Sequence, residues 1–203
     1  IDEAKDPLKD KDGLKIFKEP IKERRYVIGA DPAEGVSRDF SVATVIDIQN
    51  IEIVAKIRGQ WKPSVFAEKL NDLGKLYSSP GGVFPILAVE RNNHGHAVLL
   101  SLNDLHCYPN LFVDKDERLG WKTDSISRPM MMDAFIDAVE EMRLKINDTD
   151  ILTECLTLID NNGKIEAANG KHDDCITSAA IALQICLANR LSIYEDIERR
   201  ILV

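Results

Sequence analysis

Four acidic residues stand at the ends or starts of apolar runs. Asp31 closes Tyr26-Val27-Ile28-Gly29-Ala30, and Glu90 closes Ile86-Leu87-Ala88-Val89. Asp173 and Asp174 open a long apolar stretch that runs on from Cys175. Carboxylates at the ends of separate elements can converge on one point. Mg²⁺ prefers oxygen ligands and keeps several waters, so two or three carboxylates suffice to hold it. Two such ions roughly 4 Å apart can activate water and stabilise a leaving oxygen, which is the chemistry of phosphodiester hydrolysis. No protein general base is then required, and no His-based triad is apparent.

Each acid also has an ordinary explanation. Asp-Pro is a common turn, but a carboxylate just past a buried strand sits at a sheet rim, where ligands bind in α/β folds. Glu90 ends a run too apolar to be exposed, and glutamate is almost never buried without a partner or a metal. Its ordinary partner is Arg91 or a nearby lysine. Asp173 and Asp174 complement a helix dipole by about 0.3–1 kcal/mol. The helix they open is apolar almost all round, however, so its N-terminus abuts the core. Adjacent acids beside Asp31 repel unless a cation lies between them. Which of the two is the direct ligand stays open, and if both reach the site they titrate as a unit.

Weaker candidates surround this set. Asp39 lies eight residues after Asp31, at the start of the next apolar run, and can reach the same point. His94 follows Glu90 closely and His172 precedes the paired acids; loop, capping or backbone hydrogen-bonding roles compete with touching substrate or orienting a ligand. Lys122, Arg128 and Lys171 are candidate phosphate contacts, against a default of plain surface solvation. Trp61 and Trp121 read as packing residues rather than base-stacking ones.

The elements that must position these residues follow from periodicity. Tyr26 to Ala30, Phe40 to Ile48 and Ile51 to Ile57 read as three strands, with a tight Gln49-Asn50 turn between the last two. Their short gaps favour an antiparallel meander. Pro63 suits a first helical turn, and Phe66, Leu70, Leu73 and Tyr77 recur at helical spacing until Pro80-Gly81-Gly82. Ile86 to Glu90 is a fourth strand, apolar enough to be buried on both faces. A short helix over Ala97 to Leu105 and a fifth strand over Leu111 to Val113 follow. Ser127 reads as an N-cap before a helix with the stripe Met131, Phe135, Val139 and Met142, and Glu141 and Lys145 stand at i,i+4. Asn161-Asn162-Gly163 signals a hairpin turn. Asp173 to Asn189 reads as a helix packed inside the domain.

Composition bounds the rest. The chain has 203 residues, 44% hydrophobic and 30% charged, ordinary for one globular domain with its own core. Four cysteines without a CxxC pair or zinc spacing read as reduced thiols of a cytoplasmic protein. No apolar run approaches the roughly 20 residues of a membrane span, and no GxxxxGK[ST] phosphate loop is present. Residues 1–24 mix Lys, Asp and Glu with few apolar side chains and read as a charged linker or tether to a domain over 25–203. The chain opens on Ile1, which points to a piece of a longer protein. A net charge of −8 disfavours a protein that only holds nucleic acid. A metal-dependent site differs, because bound cations invert the local field; weak, salt-sensitive DNA binding is expected.

Four motifs in order carry a family resemblance. Ile28-Gly29-Ala30-Asp31-Pro32-Ala33-Glu34-Gly35 through Asp39 resembles the first nuclease motif of the large terminase subunit of tailed bacteriophages. Ala88-Val89-Glu90-Arg91-Asn92-Asn93-His94-Gly95 resembles the second. Leu119-Gly120-Trp121-Lys122-Thr123 with Ser127-Arg128-Pro129 resembles the segment before a long helix, and Gly170-Lys171-His172-Asp173-Asp174 the third nuclease motif. The resemblance spans about residues 25 to 190. It implies an RNase H-like α/β fold: a central mixed sheet of five or more strands, its first three an antiparallel meander, flanked by helices, with an added β-hairpin near the active site. It further implies a DNA endonuclease using Mg²⁺ or Mn²⁺, two ions when fully assembled, that cuts concatemeric double-stranded DNA during genome packaging. Asp31, Glu90 and Asp174 carry over as metal ligands, with Asp173 and Asp39 as auxiliary acids and the hairpin as a gate to DNA. Implied partners are an N-terminal packaging ATPase domain, the portal protein and the small terminase subunit. The implied setting is the host cytoplasm, transiently at the procapsid portal, with the isolated domain a monomer and no membrane partner.

Three other readings share these residues. A Holliday-junction resolvase has the same metal chemistry but prefers branched DNA. A sugar-kinase-like ATPase needs a second Gly-rich phosphate loop, which Gly163 and Gly170 do not supply. A docking module for portal or capsid partners uses its acids only to solvate a surface.

Overall fold

The computed structural model describes residues 4–34, 40–161 and 164–201. Its centre is a three-strand antiparallel meander: β3 (Tyr26–Asp31), β4 (Ser41–Asp47) and β5 (Glu52–Gly59). β6 (Ile86–Val89) adds to β3 in parallel. β1 (Lys9–Lys11) and β2 (Leu14–Ile16) form a hairpin on the free edge of β5, giving the order β1-β2-β5-β4-β3-β6. The charged tether expected over residues 1–24 is corrected here. Ile16 and Phe17 are buried, and β2 pairs Leu14 with Ile57 and Ile16 with Ala55. A few apolar side chains at strand spacing outweigh the surrounding charges because β5 offers an unpaired edge.

The strands are apolar on both faces because helices cover both. On one face α1 (Pro63–Leu76) places Phe66, Ala67, Leu70 and Leu73 against Ile28, Ala30, Ala43 and Val45. On the other, α3 (Ser127–Glu140) and α5 (Asp174–Ile201) pack Met131, Phe135, Ile176, Ala179 and Leu183 against Val27, Val42 and Ile46. Each large side chain so buried contributes about 1.5–3 kcal/mol over leaving it in water. At Gly29 on β3 a Cβ would lie 2.2 Å from the Ser178 carbonyl oxygen and 2.4 Å from the Ala182 nitrogen. Glycine there lets the α5 backbone lie directly on the strand that ends in Asp31.

Several smaller expectations change. The helix after Glu90 begins at Gly95 (α2, Gly95–Leu100) and ends in a wide π-type turn over Ser101–Leu105. The fifth strand reduces to single bridges, Leu87 to Leu111 and Val113 to Leu119. Ser127 is inside α3 rather than its cap. The Asp124 carboxylate does the capping work, accepting from the Ile126 and Ser127 amides at 2.9 Å each. α3 ends at Glu140, so the Glu141–Lys145 pair does not form. Glu141 meets Arg143 instead, and Lys145 donates its amide to Ile51 alongside β5. The hairpin signal holds: α4 (Thr149–Cys155) leads into β7 (Leu158–Asn161) and β8 (Lys164–Ala167), while Asn162 and Gly163 lie outside the described residues.

Candidate active site

Asp31 and Glu90 end neighbouring strands. β3 and β6 run parallel with Gly29 opposite Ala88 and Ala30 opposite Val89, so the next pair is Asp31 and Glu90. The Glu90 amide donates to the Ala30 carbonyl at 2.7 Å, which fixes the two acids side by side. Both point to the face covered by α5, because Val27 and Ala88, an even number of residues earlier, pack there. They stand at the carboxyl ends of parallel strands, where open α/β sheets place their ligands.

The N-terminus of α5 crosses above them. Asp173 caps it: its carbonyl accepts the Thr177 amide at 2.8 Å. Asp174 is the first helical residue. Asp31 feels the whole group. Its carboxyl is held well above the usual carboxylate range, first by loss of hydration, then by the charge of Glu90 and a hydrogen bond with it, then by Asp174 and Asp173.

All four acids offer hard oxygen, the ligand Mg²⁺ and Mn²⁺ prefer, and no thiol or imidazole competes between Asp31 and Glu90. Among the described residues, no group of three His, Cys, Asp or Glu side chains is drawn tightly enough to hold a metal as it stands. The residues fit the ion in chemistry and in mutual electrostatic reach. Asp39 lies outside the described residues.

The ordinary partners expected for these acids are placed elsewhere. Arg91 pairs with Asp114 at 2.7 Å, not with Glu90. Glu90 instead accepts from the Asn92 side-chain amide at 2.9 Å. Asn92 is a residue the sequence reading passed over. Its amide also reaches the Pro32 carbonyl at 3.0 Å, and its oxygen accepts from the His94 and Gly95 amides at 3.1 and 2.8 Å. One side chain thus ties the turn after Asp31, Glu90 and the start of α2 together. Gly95 permits this, because a Cβ there would fall 1.8 Å from the Glu90 carbonyl oxygen. A polar residue two positions after a strand-end acid was the available signal.

The remaining candidates divide. Arg128, near the start of α3, donates to Asp173 at 2.7 Å and so neutralises one of the paired acids. His172 Nδ1 lies 3.9 Å from Asp174, and its side chain is 42% exposed, so it stands beside the cluster rather than beneath it. His94 precedes α2 and makes no side-chain capping bond. Lys122 pairs with Asp124 at 2.9 Å and stays largely exposed. Lys171 is exposed in the turn between β8 and α5, where its amide donates to Ala168 at 2.8 Å.

Behind the acids lies a second charged layer that sequence reading missed. Lys56 on β5 is fully buried and donates to Asp148 at 2.5 Å and Asp150 at 2.7 Å. Asp148 in turn caps α4, accepting from the Asp150 and Ile151 amides. Glu154, on the same helix, accepts the Ile176 amide at 3.0 Å and so caps the first turn of α5 from outside. Burial raises the Glu154 carboxyl despite this bond. α4, the sheet and the acid-bearing end of α5 are thereby held as one unit.

No family model matches the chain. Solved structures do. The large terminase nuclease from thermophilic phage G20c with bound magnesium superposes with a TM-score of 0.69 at 20% identity, covering 87% of this chain and 89% of that one. The same nuclease with bound zinc gives 0.66 at 19%, covering 88% and 91%. The Thermus phage P74-26 large terminase nuclease domain gives 0.65 at 19%, covering 88% of each. The fold is that of the large terminase nucleases. At such identity the likeness fixes architecture, a mixed sheet between helices with an added hairpin, and agrees with the resemblance carried by the four motifs. The chemistry of this chain rests on its own residues.

Proposed function

We propose that this chain is the nuclease domain of a viral large terminase, a metal-dependent endonuclease that cuts concatemeric double-stranded DNA during genome packaging. The observation that carries this reading is the placement of Asp31 and Glu90 side by side at adjacent parallel strand ends, under a helix N-terminus bearing Asp173 and Asp174. Solved nucleases of the same fold with bound magnesium, cobalt and zinc support it.

In this proposal Asp31, Glu90 and Asp174 hold Mg²⁺ or Mn²⁺, with two ions in the assembled complex. When bound, such ions lower the pKa of water and stabilise the leaving oxygen of a phosphodiester. The protein's own contribution is placement. Asn92 holds Glu90 in register with the turn after Asp31. Glu154 and Gly29 fix the height and end of α5. Arg128 pairs with Asp173, which supports Asp174 as the direct contact. The hairpin of β7 and β8 flanks the DNA path. Proposed partners are a packaging ATPase domain of the same polypeptide, the portal protein and the small terminase subunit, acting in the host cytoplasm at the procapsid portal. No helix among the described residues is long and apolar enough to cross a membrane.

Plasmid digestion in Mn²⁺, Mg²⁺ and EDTA tests the reading with the wild type and Asp174→Ala. Nicking and linearisation that need metal and vanish in the variant are expected. Undiminished cleavage by the variant, or cleavage in EDTA, overturns it.

A further inference from the structure

Next to the acids lies a cleft of about 350 Å³ between the end of β5, α4 and the turn that leads into α5. Its charged lining is Arg58, Lys171, His172, Asp150 and Glu154. The two acids are already engaged. Asp150 accepts from Lys15 at 2.9 Å and from Lys56 at 2.7 Å, and Glu154 accepts the Ile176 amide. The cations are not. Neither Arg58 nor Lys171 has an ion-pair partner among the described residues, and the buried Nε of Arg58 has no hydrogen-bond partner. In a chain of net charge −8 this leaves a local surface that is cationic in effect.

Arg58 is also held in place. Its guanidinium carbon stands 3.9 Å from the centroid of the Phe40 ring, a cation–π contact that restrains the planar fork without using its donors. Register relates it to the acids. Asp31 pairs with Val42 and Val42 with Arg58, so the three lie on one rung and one face of the sheet. Two strand spacings put the Arg58 backbone about 10 Å from that of Asp31. A DNA strand advances about 3.4 Å per nucleotide, so the cleft lies about three nucleotides along a strand that crosses the acids.

We propose that this cleft seats the phosphodiester backbone of the strand flanking the scissile bond, with Arg58 as its anchor and Lys171 at its mouth. The inference rests on the nuclease reading for the direction of the strand, but not for the ligand chemistry. An arginine with free donors, stacked on an aromatic ring and flanked by acids that are already engaged, is built for a phosphate oxygen.

Binding of a labelled duplex oligonucleotide in EDTA, followed by fluorescence anisotropy across a NaCl series, tests it. Arg58→Gln is expected to weaken binding about tenfold at low salt, as loss of a charged hydrogen bond implies. It should also flatten the salt dependence by about one counterion. Arg58→Lys should fall between, and Lys171→Gln should flatten the slope likewise. Lys75→Gln, on the opposite face and paired with Asp72, should change neither. If Arg58→Gln fails to fold, the exposed Lys171→Gln carries the same expectation. Wild-type affinity and slope in both cleft variants, or no duplex binding by the wild type, overturns the proposal. Single-turnover cleavage in Mn²⁺ separates it from the nuclease reading. Arg58→Gln should keep the wild-type rate at saturating DNA and need more DNA to reach it. A wild type that binds through Arg58 but cuts with no metal removes the nuclease reading and leaves the cleft. A wild type that cuts, with Arg58→Gln unchanged in binding and in cutting, removes the cleft alone.

Discussion

Lys56 and Asp31 lie on the same sheet face, two residues apart along the strands, and the protein buries charge around them in opposite ways. Lys56 stands between Asp148 and Asp150, with Lys15 beyond, so every buried charge meets its opposite. Asp31 stands against Glu90, with Asp173 and Asp174 above it, so acid meets acid. Asp173 takes its counter-charge from Arg128. The first arrangement is complete without a ligand and holds α4 to the sheet. The second is costly alone and, on the proposed reading, would become favourable with a divalent cation. Structure and function are separated here by whether the positive charge is covalently part of the chain.

That contrast can be broken at its structural end first. Removing one member of a buried ion pair leaves an uncompensated charge, at a cost of about 3–5 kcal/mol. Lys56→Ala is therefore expected to lower the urea unfolding free energy by that order, because Asp148 is fully buried. A loss within about 0.5 kcal/mol would mean that the layer is not structural.

The acid cluster should respond with the opposite sign. Asp31→Asn removes repulsion while keeping shape, so the metal-free protein is expected to gain stability on the order of 1 kcal/mol. A clear loss in the same urea titration would show that the acids are paired in some other way.

The smallest effect is on pH. Burial alone raises the Asp150 carboxyl, but hydrogen bonds from Lys56 and Lys15 outweigh it and bring it down to about 2. A carboxyl lowered in the folded state contributes stability that is full above its unfolded value near 3.8 and disappears as pH falls toward 2. Thermal unfolding at a series of pH values should show this loss for the wild type between about pH 4 and pH 2, reduced in Asp150→Asn. Equal acid sensitivity in both would remove Asp150 from the account.

The two regions also differ in how far the sequence disclosed them. Asp31 and Glu90 each terminate a short apolar run, and strand ends are local features. The pair at 173 and 174 opens a helix whose apolar stretch is local too. Their convergence needed only the strand order, which short connections and the family resemblance supplied. The structural layer depends on distant pairs: Lys56 meets Asp148 across 92 positions, and Arg128 meets Asp173 across 45. Charge pairing at such separation leaves no periodic trace. One signal was present for Lys56. Its neighbours Ile53, Val54, Ala55 and Ile57 are apolar on both faces of the strand, so a lysine among them had to be buried. Residues 1–24 misled for a related reason, since their charges hid the three apolar positions that dock β2 and its exit on β5.

Calorimetric titration of Mn²⁺ into the metal-free wild type, Asp31→Asn and Asp150→Asn tests most directly whether the acid-against-acid cluster is a cation site. Loss of a partner merely orienting a metal ligand costs about 10–100-fold in affinity, so loss of a ligand itself should cost at least about 100-fold. The account expects wild-type binding, its loss in Asp31→Asn, and its retention in Asp150→Asn, whose acid already has its lysines. Equal Mn²⁺ affinity in the wild type and Asp31→Asn, or no binding to the wild type at millimolar Mn²⁺, would contradict it.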